Sequence, residues 1–215
     1  MIAMRGAALA FGDRTLWRGL DLDVAAGEFV AVLGPNGSGK TSLLRMLLGL
    51  LRPAAGTVTV GGRPPRRGSD LVGYVPQRQA VAPHTPLRAR DLVRLGIDGH
   101  RWGPRRARPD ERRRVESALA DVGAAAFADV PLHLLSGGEL QRVRVAQALA
   151  TDPRLLLCDE PLLSLDAEHQ RIVAGLVDRR RREHGTAVVF VTHEVGPVLP
   201  LADRVLDLGQ AGAAG

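Results

Sequence analysis

The sequence predicts an α/β fold, a largely parallel sheet flanked by helices and interrupted by a helical subdomain. Three observations carry this. Apolar runs at 28–33, 71–75, 155–158 and 187–191 alternate with helical stretches, and strands apolar on both sides belong in a sheet covered on both faces. Between about residues 80 and 150 the strand patterns vanish and only helical ones remain. Finally, Gly34-Pro35-Asn36-Gly37-Ser38-Gly39-Lys40-Thr41-Ser42 joins the first buried run to a helical one at 43–50, giving strand, glycine-rich turn and helix in succession.

In chain order, Ala7-Ala8-Leu9-Ala10-Phe11 reads as a short strand ending at a Gly12-Asp13 turn. Leu20, Leu22 and Val24 then alternate with Asp21 and Asp23, the period of a half-exposed strand. Ala26-Gly27 turns the chain into the buried run before the glycine-rich loop. A strand at 57–60 lies between Gly56 and Gly61-Gly62, followed by a Pro/Arg/Gly-rich loop at 63–69. The strand at 71–75 is stopped by Pro76. Helices are expected at 87–95, at 109–122 with Asp110 and Glu111 in the first turn, and at 140–150 after Ser136-Gly137-Gly138, with a loop at 96–104 that carries Trp102. Alternation then resumes, with a strand at 155–158, a helix at 167–183, a strand at 187–191, a short helix at 197–202, a strand at 204–208 and a fraying small-residue tail. The organisation is one domain over 1–215, with a core of 1–79 and 151–215 and a helical subdomain of about 80–150.

Composition narrows the function classes. In 215 residues, 45% hydrophobic content suffices for a core, and 3% aromatics means that Leu, Val and Ala build it. The net charge of +6 comes from 29 basic residues of which one, Lys40, is lysine. Arginine elsewhere reflects a compositional preference, so Arg105-Arg106, Arg112-Arg113-Arg114 and Arg179-Arg180-Arg181-Arg182 read as solvated helix faces and no nucleic acid partner is expected. Lys40 fits a chemical need, because a compact ammonium enters a tight loop where a planar guanidinium does not. Cys158, the one cysteine, excludes an intramolecular disulfide framework and reads as a core residue. No run of 18 apolar residues exists, so a soluble chain is expected, with any work at a membrane done through a spanning partner. His84, His100, His133, His169 and His184 show no metal-ligand spacing.

The glycine-rich loop fits G-x-x-x-x-G-K-[ST]. Its glycines let the backbone curl and turn N–H groups inward as an anion nest, and the helix start adds its dipole. Lys40 brings a point charge to β- and γ-phosphates, and the Thr41 hydroxyl can ligate Mg²⁺. This is the loop of a P-loop NTPase core. Asp159 and Glu160 close the apolar run at 155–158. A strand end beside a phosphate loop is where an acid is needed to hold Mg²⁺, which suits Asp159, and where a second carboxylate can orient or deprotonate water, which suits Glu160. Leu135-Ser136-Gly137-Gly138-Glu139-Leu140-Gln141-Arg142 reads as a second anion-ready helix start, with Ser136 as cap and Glu139 closing a capping box.

On these motifs the sequence resembles the ATP-binding-cassette (ABC) ATPases over essentially its whole length. Their signature is Leu-Ser-Gly-Gly-Gln, and Glu139 stands here at its fifth position. The resemblance implies an ATPase coupled to transport, with ATP and Mg²⁺ as cofactors. It implies a head-to-tail dimer, formed with a second copy or a paired ABC ATPase, in which Ser136, Gly137, Gly138 and Glu139 of one subunit close on ATP held by the other's 34–42 loop. It further implies that Phe11 stacks on adenine, that Gln77 touches Mg²⁺ and the attacking water, that Asp166 in Ser164-Leu165-Asp166 crosses the dimer interface, and that His193 contacts the γ-phosphate. The implied partners are integral-membrane permease subunits and an extracytoplasmic solute-binding protein, which would place the chain peripherally on the cytoplasmic side of the cell membrane. Tyr74-Val75-Pro76-Gln77-Arg78, Asp91-Leu92-Val93-Arg94-Leu95-Gly96, Gly99-His100 and Thr192-His193-Glu194 resemble the zinc/manganese importer branch. Importers of iron chelates or other solutes stand as the alternative, and a soluble ABC ATPase acting on nucleic acid or ribosomes is a more distant one.

Overall fold

The computed structural model describes residues 1–12, 14–77, 86–99 and 108–211. Asp13, Arg78, His84, His100, the Trp102 loop beyond Gly99, Arg105-Arg106, the subdomain boundary near residue 80 and the tail after 211 lie outside the described residues.

Two sheets form. A five-stranded parallel sheet has the order β5(Val72–Val75), β6(Leu155–Asp159), β7(Ala187–Val191), β3(Phe29–Leu33), β8(Arg204–Asp207). A separate three-stranded antiparallel sheet has the order β2(Arg14–Val24), β1(Ile2–Phe11), β4(Ala55–Val60). The parallel sheet follows from runs with no polar alternation: the central strands β6, β7 and β3 are buried on both faces, whereas the edge strand β8 is largely exposed. Phe29, Ala31, Leu156, Cys158, Val188 and Phe190 face one core with the later helices. Val30, Val32, Leu155, Leu157, Val189 and Val191 face the other, with the first helix and the antiparallel sheet. Phe29 and Phe190 stack across neighbouring strands with centroids 5.6 Å apart.

The antiparallel sheet corrects the expectation of short, unassigned strands before the loop. β1 spans ten residues where the apolar pattern suggested 7–11. The alternation is masked because β1 is irregular: pairing with β2 shifts between Met4 and Ala7, and Gly6 takes φ 56° while its N–H donates to Asp21 Oδ1 at 2.6 Å.

The helices are α1(Lys40–Leu47), α2(Ala89–Asp98), α3(Pro109–Asp121), α4(Gly137–Leu149), α5(Ala167–His184) and α6(Leu208–Ala211). Several differ from expectation: α1 starts and ends three residues before the expected 43–50, at Lys40 and Leu47. α2 runs through Gly96 instead of ending there, because that glycine permits close approach: a Cβ would run into the Gln147 carbonyl of α4. α4 begins three residues early, at the first glycine after its cap. The first residues after β8 form the short α6. The expected helix at 197–202 is a 3₁₀ turn, Leu199–Leu201, with proline inside it.

The arginine runs are also corrected in part. Arg180 is buried and pairs with Asp152, and Arg181 reaches Asp178 at 2.9 Å and Asp203 at 3.1 Å. These two tie α5 to neighbouring segments. Arg112, Arg113 and Arg114 are exposed as expected, with Arg114 Nε donating to the Ala150 carbonyl at 3.1 Å. Among the described residues no helix is long and apolar enough to cross a membrane.

Candidate functional site

All five strands of the parallel sheet point the same way, so their carboxyl ends share one edge, where such sheets bind ligands. Register does the rest. Val32 pairs with Val191, and Val191 with Asp159, so the glycine-rich loop after β3, Thr192-His193 after β7 and Asp159-Glu160 at the end of β6 leave the sheet at one level. Val75 pairs with Cys158, which brings Gln77 alongside Glu160.

Within this cluster Thr41 Oγ1 donates to Asp159 Oδ1 at 3.1 Å, across 118 residues of chain. Tyr74, whose role the sequence reading missed, donates its hydroxyl to Asp159 Oδ2 at 3.2 Å. It was the one polar-tipped aromatic in an otherwise apolar strand, which was the available signal. Asp159 is almost fully buried. Desolvation raises its pKa, opposed by the Thr41 and Tyr74 hydrogen bonds. Burial beside Asp159 pushes the Tyr74 phenol up as well, which keeps it a donor. Glu160 accepts from Gln77 Nε2 at 3.4 Å and faces His193 Nε2 at 3.0 Å. Its backbone sits at φ 48°, a strained value for a non-glycine residue, held by its N–H donating to the Val191 carbonyl at 3.0 Å.

Lys40 is buried, and its Nζ donates to the carbonyls of Gly34 at 2.8 Å and Pro35 at 3.0 Å. Desolvation lowers its pKa, and Glu160 and Asp159 oppose that shift. The ammonium is thus held inside the loop at the start of α1. Gly39, just before it, takes φ 94°, and no side chain caps the helix. A Cβ on Gly39 would lie 2.7 Å from Trp17 Nε1. Ser38 Oγ is buried with no hydrogen-bond partner among the described residues. An uncapped helix start, an orphaned hydroxyl and an ammonium resting on carbonyls fit a phosphate chain. Thr41 and Asp159 supply hard oxygen donors of the kind Mg²⁺ takes alongside phosphates. Phe11 ends β1, is 51% exposed and pairs with Arg14 across the hairpin. Arg14, Thr15 and Leu16 line a cavity of about 360 Å³ together with Pro35, Asn36, Gly37 and Ser38.

The remaining expected residues form a second group. Ser136 caps α4 by accepting from the Glu139 N–H at 3.3 Å, and Glu139 accepts from the Ser136 N–H at 2.8 Å. That reciprocal box holds the Glu139 carboxyl below its ordinary range, chiefly through the Ser136 backbone N–H. Asp166 caps α5, accepting from the His169 N–H at 2.8 Å, and its pKa is lowered for the same reason.

The family description "ABC transporter" matches residues 17–163, which take in the glycine-rich loop, the Ser136 segment and Asp159-Glu160. The chain belongs to the ABC transporter family. Like other members it is an ATPase subunit. It is 35% identical to the zinc import ATP-binding protein ZnuC of Pseudomonas fluorescens, over 98% of this chain and 74% of that protein. It is also 39% identical to the aliphatic sulfonates import ATP-binding protein SsuB of Pseudomonas putida, over 95% of this chain and 72% of that one. Among solved structures it resembles an inward-facing putative metal-chelate type ABC transporter, with TM-score 0.84 and 28% identity over 96% of this chain and 79% of the other. A dimeric ATP-binding cassette in a post-hydrolysis state, bound to ADP and Pi, matches with TM-score 0.79 and 26% identity over 97% and 95%.

Proposed function

We propose that this ABC ATPase energises an importer of divalent metal ions, zinc or manganese. The observation that carries the reading is the cluster of Lys40, Thr41, Gln77, Asp159, Glu160 and His193 at one sheet edge, in a chain whose similar relatives include zinc import subunits. The 34–42 loop and Lys40 hold the phosphates, and Phe11 covers the adenine. Thr41, Asp159 and Gln77 are the residues that would hold Mg²⁺, which when bound supplies charge neutralisation at the β- and γ-phosphates. Glu160, oriented by Gln77 and His193, accepts the proton of the attacking water.

Among the described residues, Ser136 and Glu139 bond each other, Asp166 bonds His169, which rests on Gly138, and none of these side chains bonds Lys40, Thr41, Asp159 or Glu160. This separation supports a head-to-tail dimer, with a second copy or a paired ABC ATPase, in which they complete the partner's site. The core of 1–79 and 151–215 carries the nucleotide, and the subdomain of about 80–150 meets integral-membrane permease subunits on the cytoplasmic side of the membrane. An extracytoplasmic solute-binding protein would deliver the solute. The engagement of Arg180 and Arg181 with aspartates leaves less of that arginine run for nucleic acid.

Whole-cell metal content tests the solute. Removing the gene should lower zinc or manganese accumulation in metal-poor medium, with restoration by the parental gene and not by a Lys40→Ala copy. The second reading, favoured by the similarity to SsuB, is import of an organic anion such as a sulfonate. Unchanged metal content with lost growth on sulfonates as sulfur source would replace the first reading by the second.

A further inference from the structure

The imidazole of His169, in the first turn of α5, fills the space beside Gly138 in the first turn of α4. A Cβ on Gly138 would collide with the ring, coming 2.7 Å from both its Cγ and its Nε2. Gly138 does not have a positive φ, so the ring and not the backbone conformation excludes a side chain there. The other edge of the same ring is fixed by Asp166. Its carboxylate sits 2.7 and 2.9 Å from His169 Nδ1 and also accepts the His169 backbone N–H. Nδ1 is thereby the donor nitrogen, and the Cδ2 corner of the ring is turned toward Gly138. Its charged neighbours include Asp166 on its own side and Glu139, itself near Arg142, on α4.

We propose that His169 is a positioning residue that locks the Ser136-Gly137-Gly138 segment to Asp166, so that the two segments reach the partner's nucleotide as one rigid unit. This rests on the composite-site reading above. The two segments lie 27 or more residues apart in sequence, and each is held by its own cap. The His169 ring touches both. Without it each cap would persist, but their relative placement would loosen, and misplacement by about an ångström is enough to cost a large part of a rate. The first site, built on Lys40, Thr41 and Asp159, would be untouched.

The test uses the full chain with His169→Ala, His169→Phe and His169→Asn. Phe keeps a ring on Gly138 and loses the donor to Asp166, whereas Asn keeps a short donor and loses the ring. Each is made in the parental chain and in Glu160→Gln. The measurements are thermal midpoint, MgATP affinity at low protein concentration, kcat at saturating ATP, and ATP-driven dimerisation by sedimentation in the Glu160→Gln background. The expected result for His169→Ala is MgATP affinity within about twofold of the parent, with kcat and the dimerisation constant each lowered about tenfold, and partial recovery in Phe and Asn.

Parental kcat and dimerisation in His169→Ala would overturn the proposal. So would a fall in MgATP affinity parallel to kcat, which marks a general folding defect. If the Ala variant fails to fold, the Phe and Asn variants decide on the same criteria. If Glu160→Gln with His169 intact does not dimerise with ATP, the composite-site reading itself fails and takes the proposal with it. Dimerisation there that is indifferent to His169 overturns the proposal alone.

Discussion

The chain contains two helix starts that both look like anion sites, and they are built in opposite ways. α1 opens from Gly39 in the left-handed region with no side-chain cap, so among the described residues no side chain caps its first N–H groups. α4 opens from Ser136 with a complete reciprocal box, its end satisfied by Ser136 and Glu139 before any ligand arrives. An uncapped, glycine-bent start with a buried lysine is suited to holding a highly charged ligand for a whole catalytic cycle. A capped start is stable alone and suited to meeting a ligand that another body carries. The two ends also depend on glycine for different reasons: φ 94° and the Trp17 indole at Gly39, and the His169 ring at Gly138.

The largest expected effect falls on the uncapped end. Lys40→Ala should weaken MgATP binding at least about 100-fold in an equilibrium titration, since it removes the charge at the phosphates. Near-parental affinity would erase the contrast between the two ends. Glu160→Gln should keep MgATP affinity within a few-fold while kcat drops about 10² to 10³-fold, the usual contribution of a positioned base. An unaffected kcat would assign the proton to another group.

A stability comparison sharpens the two glycines. Gly39→Ala should cost about 1 to 3 kcal/mol in chemical denaturation, and shrinking Trp17 should not recover it, because the left-handed backbone stays strained. Gly138→Ala should cost a comparable amount, but combining it with His169→Ala should recover most of the loss, since the obstacle is a side chain. Equal rescue at both positions would mean that the structural reason is shared after all.

The smallest effect is expected at Glu139. Glutamine can make the same reciprocal cap, so Glu139→Gln should change kcat by less than about twofold. Its signature lies in acid. The folded-state pKa of Glu139 is lowered, so its contribution to stability is complete above the ordinary glutamate pKa and is lost as pH falls through the lowered value. The Gln variant should therefore lose stability less steeply below about pH 4. An unchanged acid limb would show that the negative charge of Glu139 adds nothing measurable to the Ser136–Glu139 box.

Much of this molecule could be read along the chain. The 34–42 loop, Asp159 and Glu160 after an apolar strand, and Ser136-Gly137-Gly138-Glu139 are local patterns, because a tight turn, a strand end and a helix cap each require particular residues within a few positions. The parallel sheet followed from the same kind of evidence, since strands buried on both faces cannot carry alternating charges. The antiparallel sheet was less legible, as the bulged β1 breaks the period on which such a reading depends.

What tertiary structure decided is everything that depends on which distant residues meet. Tyr74 reaches Asp159 through the pairing of β5 with β6, and Arg180 is buried against Asp152 although its run looks like a solvated face. Gly96 continues a helix because α4 passes close by, and His169 rests on Gly138 because two separate helix starts are packed side by side. The sequence by itself determined the chemistry at each end, because capping and phosphate cradling are satisfied within one turn of backbone. Only the packed chain decided how those ends are placed, because that placement is set by contacts between segments that carry no short-range record of one another.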